Sequence, residues 1–542
     1  MTNISKVTLL IFILFSLSNL SAANESTKID TLKFYSELCG DYEFYFKEKY
    51  NPIKIYIERE ILKGRQKGRD PIVLSPVNLG GLTFTAFNGS EYFKITFTKN
   101  DEGKIIRFIL SGEQGEDIAE RVFAKSKVDQ FGIEVLQEDF KQFRRLLEEN
   151  HCCLYEYTSK GAFDKLFERQ YGLINRPMQW NEFYKILTPL IAKVGCGHTA
   201  VWMPDGYWDM GIDKMFPLRI RLIEDYVVVA GSYKDSVGIP VGSIILSIND
   251  RPIDDIIKEM KANYSADAFN QNFISSQIER RFSLIFARRF GFHDKYNIIY
   301  ALPDRKTRET AELLPANISY VRSAVFTNFS HPELTIELIE EKSTAIMTIN
   351  TFIYYDRVDY FKGYLDSCFN AIHEKKIKNL ILDLRGNDGG DPFCAAPLFS
   401  YLFSKPVPYY AEPYGKYSKL AEPIPLAEKH FTGNLYTLID GRCFSTNGHF
   451  CSLLDYHNIG KFIGTESGAT YKCNAGKDTE AHLKNTRIML YFGRSTFAAA
   501  VKGMDKTKPI MPDYPVKVTY QDFLDGKDVF METALKLIDK TD

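Results

Sequence analysis

The sequence predicts a multidomain α+β chain, and three observations carry that prediction. Its 542 residues are more than one hydrophobic core organises. The periodicity changes along the chain, from strand-like alternation to helical spacing and then to strands alternating with helices. No internal repeat or low-complexity tract blurs these blocks, so each reads as a folding unit.

Residues 1–23 are set apart from the fold. Lys6 precedes the apolar run Val7 to Leu17, and Ser21-Ala22-Ala23 offers the small residues of a signal-peptide cleavage site. The run is roughly 11 residues where a membrane span needs about 20, and no later segment is long and apolar enough. The expectation is therefore an exported protein, periplasmic or extracellular, with its leader removed after Ala23. No cysteine stands at the cleavage point to carry a lipid.

Residues 31–125 hold short runs such as KIYIER, LTFTAF, YFKITFT and KIIRFIL between Gly, Asn and Asp turns, which predicts a small β-barrel or sandwich module. Residues 126–205 switch to helical spacing in FKQFRRLLEEN, AFDKLFERQYGLI and WNEFYKILTPLIAKV, predicting a helical cap. That cap ends in Gly195-Cys196-Gly197-His198-Thr199 before the extended AVWMP, so a histidine stands where helix gives way to strand. Residues 206–270 run from an apolar strand through a Pro-x-Gly turn, a short strand and an Asn-Asp turn to an amphipathic helix. This resembles the second half of a PDZ-type module, a class that binds extended peptides at a sheet edge. Residues 271–332 read as a charged connector. Residues 333–542 alternate strands (TAIMTINTF, KNLILDLRG, NLYTLID, KFIGT) with helices, predicting an α/β layer with a mostly parallel sheet.

Composition excludes some functions. With 68 basic against 69 acidic residues there is no global field to draw nucleic acid or an anionic membrane surface. The nine cysteines are scattered and include no C-x-x-C pair, which argues against a zinc site. An exported chain permits disulfides, and the odd count leaves at least one thiol free or paired between chains.

The chemistry-bearing residues gather in the last block. The strand LYTLID leads through Gly441-Arg442-Cys443-Phe444-Ser445 straight into the helical segment TNGHFCSLLDYH. A serine there stands at the positive end of a helix, and the N–H of Thr446 is placed to hold a developing oxyanion. The plainer alternative is that Ser445, Thr446 or Asn447 caps the helix. The strand KNLILDLRG ends in a glycine-rich turn whose Gly389 and Gly390 can bring main-chain N–H groups close to a substrate carbonyl, a second oxyanion donor. That turn is no phosphate loop, for it lacks both the Lys-Ser/Thr ending and the G-x-G-x-x-G spacing.

Together with GCGHT upstream and IMPDYPV downstream, these elements resemble the C-terminal processing peptidase, tricorn protease and retinoid-binding-protein superfamily over about residues 131 to 535. The resemblance implies a ClpP/crotonase-like α/β peptidase core and an acyl-enzyme mechanism without metal or organic cofactor. It also implies a peptide or unfolded-protein substrate, held by its C-terminus. In the superfamily's Ser–Lys branch the base lies about 25 residues after the serine, where this chain has Thr470; Lys472 is two positions off, on the same face of an extended strand. In the tricorn-like branch the base is a histidine in a G-H-T motif, a place that His198 fills, although the serine that precedes it in that pattern is Gly197 here. The resemblance puts the third triad member, an acid, near Asp505, with Glu466 as the alternative. His449, one helical turn after Ser445, is a rival base. Asp383 and Arg385 read as a strand-end ion pair, and Asp513 as the holder of a terminal turn. Two other readings stand beside the peptidase: a non-catalytic peptide- or ligand-binding protein on the same scaffold, and an α/β-hydrolase esterase, which would need a G-x-S-x-G that the chain lacks.

Overall fold

Alternating burial along its strands shapes the first part of the chain. The computed structural model describes residues 31–540 except 33, 45–52, 59, 67–70, 79–80, 88–91, 113–114, 123–129, 234–237, 326–333, 356 and 477. The expected leader at 1–23 lies outside the described residues. The chain divides into two units, one of residues up to 128 with Thr479–His482, the other of residues 129–478 and 483–542.

In the first unit, strands from Gly40–Phe44 to Gly115–Val122 form an antiparallel sheet, nine-stranded among the described residues. Residues 72–76 bring its ends together: Ile72–Val73 pairs with Ile61–Gln66, and Ser75–Pro76 pairs with Thr83–Phe87. Every second residue of the central strands faces inward. Phe84, Phe97, Phe108 and Tyr42 are buried there, and Tyr42, Phe97 and Phe108 have ring centroids 5.0 to 5.8 Å apart.

The second unit begins with three helices, α1 (Ile133–Asn150), α2 (Lys160–Gly172) and α3 (Trp180–Val194). Ser159 caps α2 by accepting the Ala162 N–H, and Gln179 with Glu182 forms a capping box on α3. Gly195, at φ 69°, ends α3 in the left-handed conformation and turns the chain toward His198.

An antiparallel sheet follows, with strands β1 (Leu218–Ile223), β2 (Tyr226–Ser232), β3 (Ile244–Ile248), β4 (Tyr296–Ala301) and β5 (Arg308–Leu313) in that spatial order. Asn249 and Asp250 take positive φ in the turn after β3. Helices α4 (Ile253–Ala262) and α5 (Gln271–Phe290) pack on the sheet. The stretch read as a connector over 271–332 is thus corrected, since it supplies α5 and two strands of this sheet. The signal of its second strand was weak because β5 is an edge strand with five of its six residues outside the core.

The last block holds a six-stranded sheet, β6 (Leu334–Ile339), β7 (Thr344–Ile349), β8 (Asn379–Asp383), β9 (Asn434–Ile439), β10 (Lys461–Gly464) and β11 (Tyr514–Pro515), in chain order. Only the β6–β7 pair is antiparallel. Both faces of β8 and β9 are covered, which explains their unbroken apolar runs. Leu380 and Leu382 face helices α6 (Val358–Glu374), α7 (Pro392–Leu402) and α8 (Thr446–Tyr456), while Ile381 faces α9 (Val529–Ile538) on the other side. Among the described residues no helix is long and apolar enough to cross a membrane.

Candidate active site

The site forms where β8 and β9 end side by side. After β9, residues 440–445 turn sharply into α8, and Ser445 takes φ 56°, ψ −126°, a strained conformation for a residue with a Cβ. It occupies the N-cap position, yet its side chain makes no capping hydrogen bond. The capping alternative is therefore not realised, and the hydroxyl is left for another partner.

That partner is His198. Its Nε2 lies 3.1 Å from the Ser445 Oγ across 247 positions of sequence. The imidazole stacks on Phe444 at 4.5 Å between centroids and 24° between planes, which fixes the ring orientation. Burial, with the nearby His449 imidazole adding to it, holds the His198 pKa down at about 3. A neutral imidazole at this distance can take up the hydroxyl proton. Gly197 also finds its reason here: a Cβ at that position would sit 2.6 Å from the Phe444 ring.

The glycine-rich turn after β8 packs directly on the serine. A Cβ on Gly389 would lie 2.7 Å from the Phe444 carbonyl oxygen and 2.9 Å from the Thr446 nitrogen, and its φ is 98°. Only glycine allows that approach. The turn is held by side chains that are buried or largely so. Asn387 accepts the Gly389 N–H at 2.8 Å and donates to the Ile349 carbonyl at 3.0 Å, while Asp388 is clasped by Arg280 and Arg442. The Thr446 hydroxyl donates to the Gly390 carbonyl at 2.7 Å, tying turn to helix.

These bonds correct one expectation. Gly389 cannot offer its N–H as an oxyanion donor while Asn387 holds it. Among the described residues the N–H groups of Gly390 and Thr446 have no protein acceptor, so these two remain able to bind an oxyanion.

The other expected residues fall elsewhere. Asp505 is exposed and accepts the backbone N–H and hydroxyl of Thr507, and the Glu466 carboxylate makes no hydrogen bond to His198. Neither therefore reaches Nδ1 of His198, which is buried without a partner among the described residues. Both stand in loops whose course the sequence does not give. Lys472 is paired with Glu156, whose carboxylate raises its pKa despite the opposing effect of burial, so it is a held cation and no base. The His449 ring is buried edge-on to Tyr410 and makes no hydrogen bond to Ser445. Asp383 and Arg385 are ion-paired, joined by Asp528, and Asp513 accepts the Phe462 N–H.

Sequence reasoning missed Phe444, Arg280 and Asp267. Asp267 is buried and accepts the Gly197 N–H at 2.7 Å. No local pattern marks these residues, because each acts across a long stretch of chain.

Residues 343–516 match the family model described as Peptidase family S41, a stretch that includes Ser445 and the glycine turn but not His198. No curated protein sequence matches the chain. Among solved structures it is similar to mature CPAF complexed with lactacystin, at 12% identity and TM-score 0.53, over 76% of this chain and 97% of that one. Mature CPAF alone gives 11% identity and TM-score 0.52 over 76% and 96%. A photosystem II D1 C-terminal processing protease gives 13% identity and TM-score 0.38 over 70% and 93%. At such identities the likeness to CPAF is one of fold.

Proposed function

The chain belongs to the superfamily of C-terminal processing and tricorn-type peptidases and is a serine-type peptidase, and from that premise we propose that Ser445 is its nucleophile and His198 its general base. The observation that carries the assignment is the 3.1 Å approach of the two side chains. In this reading the Ser445 Oγ attacks a peptide carbonyl as Nε2 of His198 takes the hydroxyl proton. The N–H groups of Thr446 and Gly390 hold the oxyanion, and the imidazolium then returns the proton to the leaving amine. The strained backbone at Ser445 supports this role, since such strain persists where it presents a reacting group.

The antiparallel sheet is proposed as a PDZ-like element that captures substrate, and the parallel layer as a ClpP/crotonase-like core. Strand β1 is a sheet edge, and a cavity of about 760 Å³ runs along it, lined among others by Arg221, Leu222, Arg280, Arg442 and Lys517. An extended peptide would add to this edge, displacing the Glu279 carboxylate that now accepts the Leu222 N–H at 2.8 Å. Export is part of the same proposal and rests on the features of residues 1–23. Sequencing the N-terminus of the secreted protein tests it, with Asn24 expected first.

Fluorophosphonate labelling tests the assignment of the pair. The wild-type chain is expected to label, Ser445→Ala to abolish labelling, and His198→Ala to slow it by at least a hundredfold, the usual order for loss of a general base. Labelling that persists in Ser445→Ala sinks the proposal. An unlabelled wild type leaves the non-catalytic binding protein as the better reading.

A further inference from the structure

Nε2 of His198 can accept the serine proton only if the imidazole carries its own proton on Nδ1. That nitrogen is buried with no partner among the described residues. A buried N–H donor without an acceptor loses its hydration uncompensated, so an acceptor is called for.

An orphan acceptor, not itself bonded to Nδ1 in this structure, lies in the neighbouring turn. Asp267 is buried, and its Oδ2 also has no partner among the described residues, while Oδ1 accepts the N–H of Gly197, the residue before His198. Two further hydrogen bonds stitch this turn to the histidine loop. Ala268 N–H donates to the Gly195 carbonyl at 3.0 Å, and the Ser265 hydroxyl donates to the Cys196 carbonyl at 2.7 Å. The carboxylate and the imidazole are thus held on adjoining, mutually bonded turns. Glu156 also has an unpartnered oxygen, but its other oxygen is taken by Lys472 and Lys506, and it makes no hydrogen bond to the histidine loop.

We infer that Asp267 is the positioning residue for His198: Oδ1 holds the backbone at Gly197, and Oδ2 takes the Nδ1–H, fixing the tautomer and stabilising the imidazolium that forms during attack. The inference rests on the reading of Ser445 and His198 as the reacting pair. It takes the third place in the triad away from Asp505 and Glu466.

A dependence on pH follows. Burial pushes the Asp267 pKa up to about 7, with Glu156 adding and the Gly197 amide opposing. Besides His198, the titratable groups around it among the described residues are Glu156, Tyr157, Cys196 and Cys473. The phenol and both thiols are pushed up by burial and stay neutral near pH 7, and the Glu156 charge is matched by its two lysines. Asp267 is therefore neutral below about 7 and a carboxylate above it, so the rate at Ser445 should rise with pH through that value.

The test compares fluorophosphonate labelling rates of the full chain, wild type and Asp267→Asn, between pH 5.5 and 9, with melting curves for both. Asparagine can still accept the Gly197 N–H but would offer Nδ1 an N–H donor, forcing the wrong tautomer. The expected result is a fall on the order of 10²- to 10⁴-fold and loss of the limb near pH 7, with the melting temperature kept. An Asn variant that labels within threefold of wild type, or keeps the wild-type limb, overturns the inference. Nitrogen-15 NMR of histidine-labelled wild type gives a readout that needs no reactive serine. A strongly downfield Nδ1 proton, assigned by its loss in His198→Ala, supports the contact, and an Nδ1 without a proton overturns it. Because that signal does not depend on Ser445, failure of the positioning role is separable from failure of the nucleophile assignment.

Discussion

Two glycines beside Ser445 and His198 leave no room for a side chain. At Gly389 a methyl group would meet the Phe444 carbonyl and the Thr446 nitrogen, both backbone atoms of the serine turn, so neither can move aside without moving Ser445. Gly389→Ala is expected to lower stability by about 1–3 kcal/mol and to slow labelling of Ser445 by more than tenfold, read by urea titration and labelling rate. Gly197→Ser restores the hydroxyl that the tricorn-type pattern carries before the histidine. Here it would drive the Phe444 ring away from His198, because the new Cβ falls 2.6 Å from that ring. Labelling at Ser445 is expected to fall in that variant; a rise would show that the stacking is dispensable.

At the scale of elements, α5 links the edge strand β1 and the glycine turn through neighbouring residues. Glu279 bonds the edge of β1, Arg280 bonds Asp388 in the glycine turn, and Gln277 reaches the same carboxylate at 3.2 Å. Arg280→Met removes one of the two cations clasping a largely buried carboxylate. Losing one partner of such a pair costs about 3–5 kcal/mol, expected as a lower urea midpoint. Burial works to raise the pKa of Asp388, and Arg442 and Arg280 more than offset it. A lowered folded-state pKa contributes stability above the ordinary carboxylate value and loses it as pH falls through the lowered one. Arg280→Met should therefore begin acid unfolding at a higher pH than wild type, and equal acid midpoints would dismiss the clasp as a stabilising device.

At the scale of the whole molecule, the first unit has a core of its own around Tyr42, Phe84, Phe97 and Phe108, and residues 72–76 join both ends of its sheet. A fragment of residues 31–128 is expected to give a strand-rich circular dichroism spectrum and a cooperative melt, and a featureless melt would refute its independence. The blocks of the fold were legible in the sequence because helix and strand periods are local properties: α3, β8, β9 and the turn into α8 all follow from residues within a few positions of each other. Ser445 and the glycine turn were readable for the same reason, as was His198 through its short motif. The role of Gly389 was misread because a side chain two residues away decides whether its N–H is free, and β5 passed for part of a connector because an edge strand buries little. The sequence alone pointed to Ser445, His198 and the glycine turn, and to the element on which each sits. Only the tertiary structure decided which of them meet, since the contacts at the site join positions tens to hundreds of residues apart, and no local periodicity encodes the path the chain takes between them.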